Sequence, residues 1–91
     1  MTLESILDRL QRKNIRATYG AVAGVLGGSA QGVMTGRAVS QRNSWIVNAE
    51  TGLPTGYQQG QMHPNLRRLP IVLKTGPKLQ QFLDRHLDNG N

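Results

Sequence analysis

Ala17-Thr18-Tyr19-Gly20-Ala21-Val22-Ala23-Gly24-Val25-Leu26-Gly27-Gly28-Ser29-Ala30-Gln31-Gly32-Val33 is the stretch on which the reading of this chain turns. Ala21 to Leu26 fits a short helix. Gly27-Gly28 ends it, because glycine reaches positive φ at little cost. Ser29 then caps a further helix through about Val39. Two short helices crossing at a tight turn need a small residue at the crossing, a turn glycine and an apolar plug. Ala23, Gly27 and Val33 stand at those places, with Val22 and Leu26 inward, so the stretch predicts a helix-turn-helix.

The same residues allow a second reading. Gly20, Gly24, Gly28, Gly32 and Gly36 recur every four residues inside an uncharged segment flanked by Arg16 and Arg37. Small residues at that period let membrane helices approach closely. Against this, Ala17–Gly36 holds one Leu and no Ile or Phe, with Thr18, Ser29, Gln31 and Thr35 among six glycines, and would insert poorly.

Upstream, Thr2 opens a helix to about Lys13 whose Leu3, Ile6, Leu7 and Leu10 form one apolar stripe. Asn14 stops it, and Ile15 to Thr18 reads as extended. Downstream, Trp45-Ile46-Val47 reads as a strand, Glu50-Thr51-Gly52 as a turn and Leu53 to Tyr57 as the return strand of a β-hairpin, pushed to an edge by Pro54. Gln58 to Arg68 is a polar loop with one helical turn, and Leu69 to Lys74 a further strand. Gly76-Pro77 starts a last helix with Leu79, Phe82, Leu83 and Leu87 on one face and Gly90 past its end. The expectation is an α+β fold, mostly α. It is a winged-helix-like helix-turn-helix with a β-hairpin and a C-terminal helix, in one domain over residues 1–91. Residues 1–66 form its nucleus and 67–91 an addition.

Charge narrows the partners. Eleven Lys and Arg oppose five acidic residues among 91. No acid lies between Asp8 and Glu50, where Arg9, Arg12, Lys13, Arg16, Arg37 and Arg42 fall. None lies between Thr51 and Leu83, where Arg67, Arg68, Lys74 and Lys78 fall. Broad positive surface attracts phosphate chains or anionic lipid. The absence of cysteine removes disulfides and thiolate nucleophiles and fits a reducing compartment. The first residues do not read as a signal peptide, so a cytoplasmic location is expected. His63 and His86 are isolated and the acids scattered, so no metal, cofactor or active site is expected. Gly24-x-x-Gly27-Gly28-Ser29 lacks the following Lys of a phosphate-binding loop.

Taken in order, Ala17-Thr18-Tyr19-Gly20-Ala21-Val22-Ala23, Ser29-Ala30-Gln31-Gly32-Val33, Ile46-Val47-Asn48 and Gly52-Leu53-Pro54-Thr55-Gly56-Tyr57 resemble the DNA-binding domain of alkylguanine-DNA alkyltransferases and the alkyltransferase-like proteins. The resemblance covers roughly Leu3 to Leu66. It implies that Tyr19 lies against DNA backbone beside a flipped nucleotide, and that Ser29 to Arg37 is a recognition helix held in the minor groove. The family's intercalating arginine falls on Gln31. Where the family has Pro-Cys-His-Arg-Val-Val, alignment on Val47 and Asn48 puts Asn43 at the cysteine, Ser44 at the histidine and Trp45 at the arginine. Alkyl transfer needs a thiolate acceptor beside a histidine. With neither present, no enzymatic activity is expected.

The expected function is therefore non-enzymatic DNA binding, with recognition of duplex or damaged DNA. Lys13, Arg16, Arg37 and Arg42 grip the backbone, and Ser29, Gln31 and Thr35 face the groove. A base pocket would take walls from Tyr19, Trp45 and Tyr57 and polar edges from Asn43, Ser44 and Asn48. The plainer reading of Trp45 is a core residue. The alternatives are a protein-interaction module of the same fold, which implies a protein partner, and the glycine-zipper membrane segment. No membrane association is expected on the leading reading.

Overall fold

Thr2 opens the first helix with a reciprocal cap. Its hydroxyl accepts the Ser5 N–H at 3.2 Å, and its own N–H donates to the Ser5 hydroxyl at 3.1 Å. From there the structure, a computed structural model describing residues 2–85, runs into α1 (Leu3–Lys13). Ile6, Leu7 and Leu10 on its stripe are fully buried, each stabilising the fold by roughly 1.5–3 kcal/mol. Asn14 ends the helix in the left-handed region, at φ 55°.

Strand β1 (Arg16–Thr18) passes directly into α2 (Tyr19–Leu26). The helix starts two residues before the expected Ala21, because the Thr18 hydroxyl accepts the Ala21 N–H at 3.0 Å and so caps it. Strand β2 (Ile46–Val47) follows a 3₁₀ turn at Arg42–Trp45. After a second such turn at Gln59–Gln61 come β3 (Val72–Leu73) and α3 (Gly76–Arg85). The three strands form one parallel sheet in the order β2-β1-β3, with Thr18 opposite Val47 and Ala17 opposite both Ile46 and Leu73. Over the described residues the fold is a small α+β globule of three helices and a three-stranded parallel sheet.

α3 buries Leu79, Phe82 and Leu83 and packs on α2. The two backbones nearly touch: a Cβ placed on Gly24 would stand 3.1 Å from the Cα of Gly76. The core joins this pair to α1, Ala17, Trp45, Ile46 and Leu66. Leu87, His86 and Gly90 lie outside the described residues.

Two expectations are corrected. No helix spans Ser29–Val39. Successive short turns close there instead, with N–H donation from Gly32 to Ser29, Thr35 to Gly32 and Arg37 to Met34 at 3.1–3.2 Å. Gly27, Gly28 and Gly36 all take positive φ. A glycine inside a helix costs about 1 kcal/mol, and only Val33 and Met34 of this segment pack on the core to offset that. Nor is there a β-hairpin. The edge of β2 pairs with β1, while Asn48 donates to the Leu53 carbonyl at 2.9 Å and receives the Gly52 N–H at 2.8 Å in a closed loop. Pro54, the next residue, has no N–H to extend a ladder. The strand expected at Leu53–Tyr57 is absent. Among the described residues no helix is long and apolar enough to cross a membrane, and α2, with its glycines, ends after eight residues.

Candidate nucleic-acid interface

Parallel pairing sends the chain out of all three strands at one sheet edge. Tyr19 follows β1, Asn48 follows β2 and Lys74 follows β3, whose carbonyl accepts the Thr18 hydroxyl at 3.4 Å. The carboxyl ends of parallel strands are where open sheets offer a crevice. Here Tyr19, Asn48 and Thr55 line an open cleft of about 510 Å³ together with Ala30, Gln31, Met34 and Thr35 from the glycine-rich turns. The Tyr19 hydroxyl accepts the Thr55 N–H at 2.8 Å, which fixes the ring against the loop after β2. Asn48 turns its Oδ1 to the Glu50 N–H at 2.7 Å. Gln31 and Thr35 are exposed, although the Thr35 hydroxyl donates to the Gln31 carbonyl at 3.3 Å. Ser29, just before the cleft segment, accepts the Gly32 N–H at 3.1 Å. The cleft thus presents an aromatic ring, a thioether and uncharged amide and hydroxyl groups. It has no nucleophile beside a base.

The basic residues expected to grip a backbone are differently employed. Arg37 donates through Nε and Nη2 to the Asn43 side-chain oxygen at 3.3 and 3.2 Å, and its Nη2 also pairs with Glu4. Arg42 reaches the Glu4 carboxylate at 2.9 Å and Asp8 at 2.7 Å. These contacts hold the Glu4 carboxyl below its ordinary pKa, chiefly through the Arg37 and Arg42 hydrogen bonds, and raise the Arg42 guanidinium through Asp8 and then Glu4. Arg16 donates to the carbonyls of Gly52 at 2.9 Å and Leu69 at 3.2 Å. Burial, then the Arg67 charge, pushes its guanidinium below its ordinary value. Lys13 is exposed at the end of α1, and Arg67, Arg68, Lys74 and Lys78 are exposed along the second acid-free stretch.

The expected base pocket is split. Trp45 and Ser44 are fully buried and Asn43 nearly so. Trp45 is a core residue: its ring lies 4.9 Å from that of His63, and its indole N–H has no hydrogen-bond partner among the described residues. Ser44 donates to the Gln41 carbonyl at 2.6 Å and accepts the His63 N–H at 3.0 Å. Asn43 is consumed by Arg37 and by the Ala38 carbonyl at 2.7 Å. Tyr57 bonds Ser40 through both its hydroxyl roles, at 3.0 and 2.9 Å. None of these four lines the cleft. Tyr19, Gln31, Thr35 and Asn48 do. Met34 and Thr55 were missed; Met34 sits in a segment read as helical, and Thr55 in one read as strand.

Among the described residues no three His, Cys, Asp or Glu side chains come together as a metal site would require. No family model, curated protein or solved structure matches the chain.

Proposed function

We propose that this chain is a non-enzymatic DNA-binding protein of alkyltransferase-like type that receives an unstacked base at the carboxyl edge of its sheet. The observation that carries the reading is the cleft lined by Tyr19, Gln31, Thr35 and Asn48. A flipped base needs one aromatic or apolar wall and a few polar edge contacts. Tyr19 and Met34 offer the first, Gln31, Thr35 and Asn48 the second, and the volume lies within the range of small-ligand sites. In chain order, α2 and the turns at 29–37 stand where the helix-turn-helix pair of that family stands, and the turns take the role of its second helix. Backbone contact falls to exposed Lys74, Lys78, Arg67 and Arg68 rather than to Arg37 and Arg42, which α1 already holds. Phosphate contacts of this kind dominate affinity and make it salt-dependent.

Fluorescence anisotropy of labelled duplexes at several salt concentrations, one plain and one carrying an alkylated guanine, tests this. The lesion duplex binds more tightly, and Tyr19→Ala removes the difference. Lys74→Gln weakens both duplexes alike and lowers the salt slope by about 1. Equal binding of the two duplexes leaves a general DNA-binding domain. Absence of binding at low salt by the folded protein overturns the reading. That outcome favours a protein-interaction module, which the internal pairing of Arg37 and Arg42 with Glu4 and Asp8 supports.

A further inference from the structure

A second cleft of about 530 Å³ opens beside the loop that follows β2, and it shares no residue with the first. Its apolar lining comes from Leu53, Met62, Pro64 and Leu66; Gln59, His63 and Arg67 supply the polar groups. Leu66 is buried, while Leu53 and Met62 are half-buried and packed on the core, which makes them a fixed apolar surface. We propose that this cleft binds a small carboxylate with an apolar or aromatic body, the carboxylate pairing with Arg67 and the body lying on Leu53, Met62 and Leu66.

Uncompensated charge is the first argument. Arg67 stands close enough to Arg16 to disfavour its charged form. Among the described residues Arg16 donates to the carbonyls of Gly52 and Leu69 and to no carboxylate, and no acid occurs from residue 51 to 83. Two like charges that form no ion pair among the described residues favour an anion, and a planar guanidinium pairs with a carboxylate through two parallel hydrogen bonds. His63 is the second argument. Its Nδ1 accepts the Asn65 N–H at 3.0 Å, so the neutral ring carries its proton on Nε2 and is a donor there. The cleft's ionisable groups therefore offer donors to an anion and no competing carboxylate. The apolar lining argues against a bare phosphate, which would lose hydration there and has no apolar surface to bury in return.

The molecule carries its own reporter, since its single tryptophan, Trp45, packs against His63. Titration of the full chain with benzoate should give a saturable change in Trp45 emission and shift the backbone amide resonances of residues 59–67. Benzamide, of the same shape without the charge, should bind roughly tenfold more weakly, the loss expected for one charge-assisted pair. Inorganic phosphate should give no saturable change. Arg67→Gln should abolish the preference for benzoate over benzamide, and Arg68→Gln, which removes an exposed charge next in sequence but outside the cleft lining, should leave it intact. Equal affinity for benzoate and benzamide, equal loss in the two variants, or no saturable change with benzoate overturns the proposal. Each of these outcomes is independent of whether the protein binds DNA.

Discussion

Glu4 accepts from two arginines that arrive from more than thirty residues away in the chain, and through them it straps residues 37–42 to α1. Its native pKa lies below the unfolded value near 4.5. The stability it contributes is therefore fully present above that value and is lost as pH falls through the lower native one. Thermal melts across an acid pH series should show stability falling below about pH 4.5 in the native chain. Glu4→Gln should start lower at neutral pH and lose part of that dependence; an unchanged acid limb would mean that the strap is idle in solution. At this scale Tyr19, Gln31 and Thr35, singled out from the sequence, line one cleft, although Gln31 and Thr35 stand on turns rather than on the expected helix. The pocket reading failed at Asn43-Ser44-Trp45, while the plainer reading of Trp45 as a core residue holds. A short polar and aromatic run has no period from which inward and outward can be told, and the 3₁₀ turn there faces all three inward. Sequence reading failed also for Arg37 and Arg42, because pairing with Glu4 and Asp8 is a property of the folded chain.

The helices were readable as elements because α1 and α3 carry apolar stripes and α1 carries a cap. The strands were readable as extended segments, since Arg16–Thr18, Ile46–Val47 and Val72–Leu73 all fall within the expected ones, but their pairing was not. Ile46–Val47 and Val72–Leu73 are two residues each, too short to show alternation or to reveal whether the partner runs parallel. The segment from Ser29 to Val39 imitates a helix with an N-terminal serine and inward Val33, and only the backbone angles at its glycines expose the turns. The glycine period acquires a different meaning in the packed elements. Gly24 serves the crossing of α2 and α3, where a Cβ would press on the Gly76 backbone. Gly24→Ala gains roughly 1 kcal/mol of helix propensity but overpacks a backbone contact, which costs about 1–3 kcal/mol. Gly76 cannot yield easily, because Leu79, Phe82 and Leu83 anchor α3 behind it. A lowered denaturation midpoint in urea is expected. Gly20→Ala, on the same helix with nothing closer than 4.0 Å to its Cβ, should not lower it. A midpoint for Gly24→Ala at or above the parent value would refute the close approach.

At the scale of the molecule, residues 67–85 contribute to the same sheet and core as those before them. β3 fills one edge of β1, and α3 closes the core over α2. A fragment of residues 1–66 should therefore lack the cooperative melt of the whole chain, which circular dichroism against temperature checks; a cooperative transition in the fragment would make the last part an accessory. The strand order has a further effect on how the molecule comes into being. β1 is made early, yet its partners are Ile46 and, much later, Val72, and no adjacent segment can zip onto it as a hairpin would. Contacts so distant along the chain slow folding. On the ribosome, one flank of β1 stays bare until Ile46–Val47 are made and the other until Val72–Leu73. Such a nascent chain depends on quick completion or on a chaperone's shelter, and a pause in translation ahead of residue 72 is the interval in which it is most exposed to aggregation.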